Sequence, residues 1–178
     1  MHRLLRVLCV SFTIIYSAFA ADNPVIFDDA ADQARYEFLL EELRRILALD
    51  REWRACLVGV GRLGRAIINY TGFAPEGFII VSAFDIDHDQ VGDQVGDLRV
   101  RRISELSQTI RDLDITIGIV AVPAERAQSV IDQLVKYQIR GILNYAPIAP
   151  NIPVGIILRN IDPVVALQSM TFYLQNSE

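Results

Sequence analysis

Cysteine is almost missing from this chain of 178 residues: Cys9 and Cys56 are the only two, which excludes a disulfide framework. Cys56 lies in an apolar run and reads as a buried strand residue. A reactive or metal-binding role would need a His or Cys neighbour, and the remaining candidate, His88, lies in the polar loop Asp87-His88-Asp89-Gln90 and reads as a surface residue. Clustered positive charge is also scarce. The net charge is −5 and the only cationic cluster is Arg99, Arg101 and Arg102, too short for the groove-wide positive stripe of a nucleic-acid binder. A solvated strand edge or a dimer contact is the expected use of that cluster. There is no room for a second catalytic domain, because a chain of this length, 52% hydrophobic and 22% charged, fits one globular α/β domain.

A membrane-spanning run is lacking as well. Val7 to Ala21 is uncharged for 15 residues, short of the ~20 that a transmembrane helix needs. With Arg3 and Arg6 before it and Ala18-Phe19-Ala20 at its end, the segment has the three parts of a cleavable secretory signal. No stable membrane anchor is expected.

What is present begins at Val58-Gly59-Val60-Gly61-Arg62-Leu63-Gly64-Arg65, directly after the apolar Ala55-Cys56-Leu57. It reads as a strand feeding a GxGxxG turn into a helix, the pattern of a dinucleotide pyrophosphate site. Gly59 serves the tight turn, Gly61 the approach of backbone to phosphate, and Gly64 close helix–strand packing. The helix from about Leu63 aims its free amides at the anion. A second apolar run, Phe78 to Phe84, ends at Asp85, 21 residues after Gly64, where a carboxylate can accept the adenosine ribose hydroxyls. Asp87 backs it up. A 2′-phosphate there would meet both carboxylates, and two unit charges ~4 Å apart repel by roughly 4 kcal/mol at an effective dielectric of ~20. NAD(H) is therefore expected over NADP(H). Since NAD(H) is mainly intracellular, the larger part of the chain implies the cytoplasm, while residues 1–21 point to export.

The rest alternates helix and strand. Tyr36 to Leu49 carries Phe38, Leu39, Leu43, Ile46 and Leu47 on one stripe, predicting an amphipathic helix. Val100 to Ile103 reads as a short strand, and Ser104 as the cap of a helix running to about Arg111. Asp114 to Val122 is a strand buried on both faces, and Pro123 starts the next helix. Gly141 to Ala146 and Gly155 to Ile161 are the last strands. Asp162 caps a final helix with Pro163 in its first turn. Such alternation demands a doubly wound parallel sheet, a Rossmann fold, with ligands at the strand carboxyl ends. The expected organisation is a signal-like segment over 1–21, a linker with the amphipathic helix over 22–53, and the nucleotide-binding domain over 54–178.

Leu57-Val58-Gly59-Val60-Gly61-Arg62-Leu63-Gly64-Arg65-Ala66, Asn69-Tyr70, Ala83-Phe84-Asp85-Ile86-Asp87, Val122-Pro123-Ala124-Glu125, Gly141-Ile142-Leu143-Asn144-Tyr145-Ala146-Pro147 and Asn160-Ile161-Asp162 together closely resemble the Rex family of redox-sensing transcriptional repressors. The likeness runs from about Tyr36 to the C-terminus. It implies a Rossmann domain of the CoA-binding-domain type that responds to the NADH to NAD⁺ ratio. It also implies a homodimer with an exchanged C-terminal helix, and an N-terminal winged helix that binds operator DNA. Only about 35 residues precede the linker helix here and no recognition helix fits them, so the expectation is a sensor without autonomous DNA binding, able to form a heterodimer with a full-length relative. The resemblance places Tyr70 near the nicotinamide and Asp162 in the same polar switch network. Val122, Pro123, Asn144, Ala146 and Pro147 fall at strand ends along the cofactor cleft, where backbone contact to the dinucleotide is expected.

Three other functions compete. A small NAD-dependent oxidoreductase would share the glycines, but hydride transfer needs an acid/base partner and a substrate pocket, and neither is visible, so no enzyme is expected. A CoA-binding module would share the fold, although Asp85 argues for free ribose hydroxyls. An exported remnant of the fold that has dropped the ligand is the third; the glycines and Asp85 count against it, and cofactor binding decides.

Overall fold

The computed structural model describes residues 30–46 and 51–175. The chain divides after Ile46 into two compact units. The described part of the first is one helix, α1 (Ala30–Ile46). It begins six residues before the expected start at Tyr36, with Asp32 in the first turn favouring its amino end. Gln33 with Glu37 and Arg45 with Glu42 pair along its surface. Phe38, Leu39, Leu43 and Ile46 of the apolar stripe are exposed. The expected helical residues 47–49 and the signal-like segment 1–21 lie outside the described residues.

The second unit is built on a seven-stranded sheet. In chain order its elements are β1 (Trp53–Val58), α2 (Arg62–Ile68), β2 (Phe78–Asp85), β3 (Gln94–Val95), β4 (Leu98–Arg102), α3 (Leu106–Asp112), β5 (Ile117–Val120), α4 (Ala124–Lys136), β6 (Gly141–Asn144), β7 (Ile157–Asn160) and α5 (Pro163–Gln175). The strand order is β3-β4-β2-β1-β5-β6-β7. Every neighbouring pair is parallel apart from the antiparallel β3–β4 hairpin at one edge. The doubly wound parallel sheet is as expected, and its strand order reverses at β1, where ligands of such sheets bind.

Burial explains the pattern. Cys56 and Val58 face one side of β1 and pack with Phe84 against Leu106 and Ile110 of α3 and Ala127, Ile131 and Leu134 of α4. Ala55 and Leu57 face the other, with Ala83 and with Ile67 of α2. A strand covered on both faces is apolar without alternation, as β1 is.

Several boundaries differ from the sequence reading, each for a local reason. The strand expected from Asp114 begins only at Ile117, because Asp114 adopts φ +49 and the Ile115 amide donates back to the Ile110 carbonyl at 3.0 Å, closing α3. The end of α4 repeats the device: Gln138 has φ +70 and the Ile139 amide donates to Leu134 at 3.0 Å. A left-handed residue other than glycine costs about 1–2 kcal/mol. Burial of Ile115 and Ile139 directly after it offsets that, as in a Schellman closure with its hydrophobic contact. Ser104 is not the cap of α3. A 3-10 turn over Ile103–Glu105 precedes the helix, and Glu105 Oε1 reaches back to accept from the Arg102 amide at 3.3 Å. The arginine cluster is exposed along β4, where the two-residue β3 pairs with Leu98 and Arg99 and reaches neither Arg101 nor Arg102. The last strand is shorter than Gly155 to Ile161, because Gly155 turns at φ +97. Asp162 does cap α5, its Oδ1 accepting from the Val164 amide at 2.9 Å. Along α5, Val164, Val165, Leu167, Met170, Phe172, Tyr173 and Leu174 are each more than half exposed.

Burial pushes the Cys56 thiol up to about 12. An unfolded thiol ionises near pH 8.5, so above that pH the native state holds a proton that the unfolded chain has lost. The stability Cys56 contributes is complete below pH ~8.5 and then falls by about 1.4 kcal/mol per unit towards pH 12. Urea unfolding of the wild type and Cys56→Ala between pH 8 and 10.5 is expected to show the wild type's advantage shrinking as pH rises; a constant difference would contradict the buried neutral thiol.

Candidate nucleotide site

Three glycines after β1 occupy three different environments. Gly59 has φ +101 and a Cβ there would lie 2.5 Å from the Ala121 carbonyl oxygen, so conformation and space both require glycine. A Cβ on Gly64 would collide with the Gly59 carbonyl oxygen and come within 3.2 Å of Leu57 Cδ2, which makes Gly64 the contact of α2 with β1. Around Gly61 nothing lies within 4 Å of that position. The protein's own packing gives no reason for glycine at 61; room for a ligand against the backbone does.

The turn is held from β2. The Val60 amide donates to Asp85 Oδ2 at 2.6 Å, and Asp85 Oδ1 accepts from the Asp87 amide at 3.0 Å. Gly59 donates its amide to the Phe84 carbonyl at 2.9 Å. Asp85 therefore ties the turn together while its remaining lone pairs stay open to a ribose. Asp87 is engaged locally, accepting from the Asp89 amide at 3.0 Å. Arg62 and Leu63 open α2 and are exposed, and their amides belong to the set that no helix can satisfy internally. Arg65 fastens α2 to the following loop through Asp93 at 2.6 Å and Gln90 at 2.7 Å.

Val122 and Pro123 follow the end of β5, and Ala146 and Pro147 the end of β6, all on the same carboxyl edge as the turn. Asn144 lies there too but is fully buried. Its Nδ2 donates to the Ala146 carbonyl and to Asn160 Oδ1, both at 2.9 Å, and its Oδ1 accepts from the Ala146 amide at 3.0 Å. Asn144 shapes the edge of the cleft instead of offering its amide to a ligand. Burial raises the adjacent Tyr145 phenol above its ordinary value, keeping it neutral.

Tyr70 and Asp162 have local partners. Tyr70 follows the carboxyl end of α2, its amide donating to the Ile67 carbonyl at 3.2 Å, and its ring packs edge-to-face on Phe73 with centroids 4.9 Å apart. Asp162 lies beyond β7, three strands from β1, and serves α5.

Sequence reasoning missed a pocket of about 200 Å³ at the carboxyl ends of β2 and β4, bounded by Asp85, Ile86, Val91 and Ile103 and rimmed by His88 and Arg102. Arg102 Nη1 lies 3.1 Å from His88 Nδ1. Arg102 and Asp85 are partners in the β2–β4 register, and no spacing in the sequence announces that pairing. Among the described residues, no group of three or more His, Cys, Asp and Glu side chains could hold a metal ion.

Residues 50–148 match the CoA binding domain family. The chain is 44% identical over 142 residues to the redox-sensing transcriptional repressor Rex of Chloroflexus aurantiacus, covering 80% of this chain and 67% of that protein. The chain belongs to the Rex family. The Rex of Streptomyces coelicolor is 38% identical over 139 residues, 78% of this chain and 54% of that protein. Among solved structures, the Rex-family repressor RSP in complex with β-NADH superposes with a TM-score of 0.72 at 34% identity, covering 79% of this chain and 68% of that one. RSP with β-NAD⁺ and operator DNA gives a TM-score of 0.73 at 34% identity, covering 79% and 64%.

In this Rex-family chain the glycines divide into two that shape the fold and one that leaves space. Gly64→Ala is expected to destabilise the domain by about 1–3 kcal/mol through overpacking, whereas Gly61→Ala should stay within about 0.5 kcal/mol of the wild type, as for other unpacked surface positions. Urea denaturation of the two variants checks this, and equal losses would mean that Gly61 is a packing residue after all.

Proposed function

We propose that this chain is the NAD(H)-sensing part of a Rex-type redox repressor, with residues 54–178 forming the sensor and 22–53 a linker helix. The observation that carries the reading is the turn itself: unfilled space at Gly61, beside an Asp85 that anchors Val60 and still offers acceptors. The Rex-family membership supports it, as does the superposition on RSP, which is known with NADH and with NAD⁺ plus operator DNA.

Gly59, Val60, Gly61, Arg62, Leu63 and Gly64 would hold the pyrophosphate, and Asp85, seconded by Asp87, the adenosine ribose. The nicotinamide half would lie along Val122, Pro123, Ala146 and Pro147, with Asn144 holding that edge in shape. Tyr70 and Asp162 would lie towards the nicotinamide, as the family resemblance implies. The exposed apolar side chains of α5 favour an assembly of two copies, a homodimer, or a heterodimer with a full-length relative. A sensor needs unequal affinity for its two ligands, because a ligand that binds two states equally shifts nothing; NADH should bind better than NAD⁺.

Operator binding belongs to the family's winged helix. This chain is read as the sensing part of such a regulator, a binding protein and not an enzyme. Such a regulator works where NAD(H) and DNA meet, in the cytoplasm. Among the described residues no helix is long and apolar enough to cross a membrane.

Titration with NADH, followed by its fluorescence, is expected to show saturable binding with weaker competition by NAD⁺ and NADPH. Asp85→Ala should weaken NADH binding by about 1–3 kcal/mol, the range for a hydrogen bond to a charged group. Binding that survives this substitution unchanged would remove Asp85 from the ribose, and no binding by the wild type would remove the sensor reading.

A further inference from the structure

We propose that Arg102, held by His88, receives the adenine ring of the dinucleotide and determines how tightly the adenosine end is bound. The proposal rests on the NAD(H) reading above and adds to it a residue pair outside the glycine turn.

Geometry sets the direction. Asp85 and Arg102 are register partners on adjacent parallel strands, about 4.8 Å apart. A ribose at Asp85 therefore has β4 and its pocket as the nearest place for the attached base. The pocket of about 200 Å³ has room for a bicyclic base, since it equals several water volumes at ~30 Å³ each. Ile86, Val91 and Ile103 give it apolar walls, as the faces of a purine require.

Charge points the same way. Neighbouring arginines are already engaged: Arg65 with Asp93 at 2.6 Å, Arg101 with Glu105 at 3.6 Å, and Arg99 with the Gly92 carbonyl at 3.3 Å. Among the described residues the Arg102 side chain makes no ion pair, although Asp85 is its register partner. Arg102 Nη1 instead meets His88 Nδ1 at 3.1 Å. An arginine always donates, so Nδ1 accepts and the histidine proton sits on Nε2. The rim thus offers N–H donors from both residues to the acceptor nitrogens of adenine, N1, N3 and N7, and the guanidinium plane can also stack on the base. An unpaired cation facing a 2′-phosphate is the other chemistry this rim could serve; Asp85 and Asp87 oppose it.

The test is equilibrium binding of NADH, NAD⁺, ADP-ribose and NADPH to the full chain and to variants. Arg102→Ala is expected to weaken NADH, NAD⁺ and ADP-ribose by the same factor, roughly ten-fold as for loss of one base-stacking contact, leaving the NADH to NAD⁺ ratio unchanged. Arg102→Lys keeps the charge without the planar fork and should remain weak. His88→Asn keeps an acceptor for the guanidinium and should bind like the wild type, while His88→Ala should lose several-fold. Both side chains are exposed, so unliganded variants should melt with the wild type. The proposal is overturned if Arg102→Ala binds NADH and ADP-ribose normally, if lysine restores binding, or if the loss is confined to NADPH. A wild type that binds neither NADH nor ADP-ribose would overturn the sensor reading together with this one; normal wild-type binding with a silent Arg102→Ala overturns this one alone.

Discussion

The hydrogen bond from the Val60 amide to Asp85 Oδ2, at 2.6 Å, joins the two parts of the molecule on which the proposed nucleotide site depends. It is a charge-assisted bond, stronger than a neutral one, and it links the turn after β1 to the end of β2. Gly59 must be left-handed to start that turn, and Gly64 must lack a side chain so that α2 can close over it. With the turn fixed from one side by Asp85 and from the other by contact with Ala121, the backbone at Gly61 faces open space. The site is an outcome of these constraints; no single residue makes it.

Along the same edge, side chains separate into those whose polar atoms are spent and those with capacity left. Asn144 belongs to the first kind. It is buried, and its amide is bound to Ala146 and Asn160, so it links the cleft edge at the end of β6 to β7 and, two residues further, to the Asp162 cap of α5. Arg102 belongs to the second kind: among the described residues its guanidinium meets one histidine and forms no ion pair. Buried polar groups are expensive unless satisfied, which is why the satisfied ones sit inside the fold and the unsatisfied cation sits at a pocket mouth.

Much of this was legible in the residues because it is local. The apolar run before Gly59, the spacing from Gly64 to Asp85, the start of α4 at Pro123 and the cap of α5 at Asp162 each express short-range rules of backbone conformation and burial. What was not legible followed from longer-range compensation. Asp114 and Gln138 end their helices without glycine because the isoleucine after each is buried. Ser104 lost the capping role to a reach-back from Glu105. The hairpin partner of Arg99 was not legible because the two-residue strand β3 is too short to announce itself.

By itself the sequence determined the fold class, the glycine turn and the carboxylate at the end of β2, since these depend on residue periodicity and on conformations only glycine adopts. Tertiary structure alone decided which side chains meet. It placed Arg102 beside Asp85 through the β2–β4 register, turned Asn144 inward to hold the cleft edge, and set the Tyr70 ring on Phe73. Pairing between strands distant in sequence is set by the packing of whole faces of the sheet, and no local pattern carries that information.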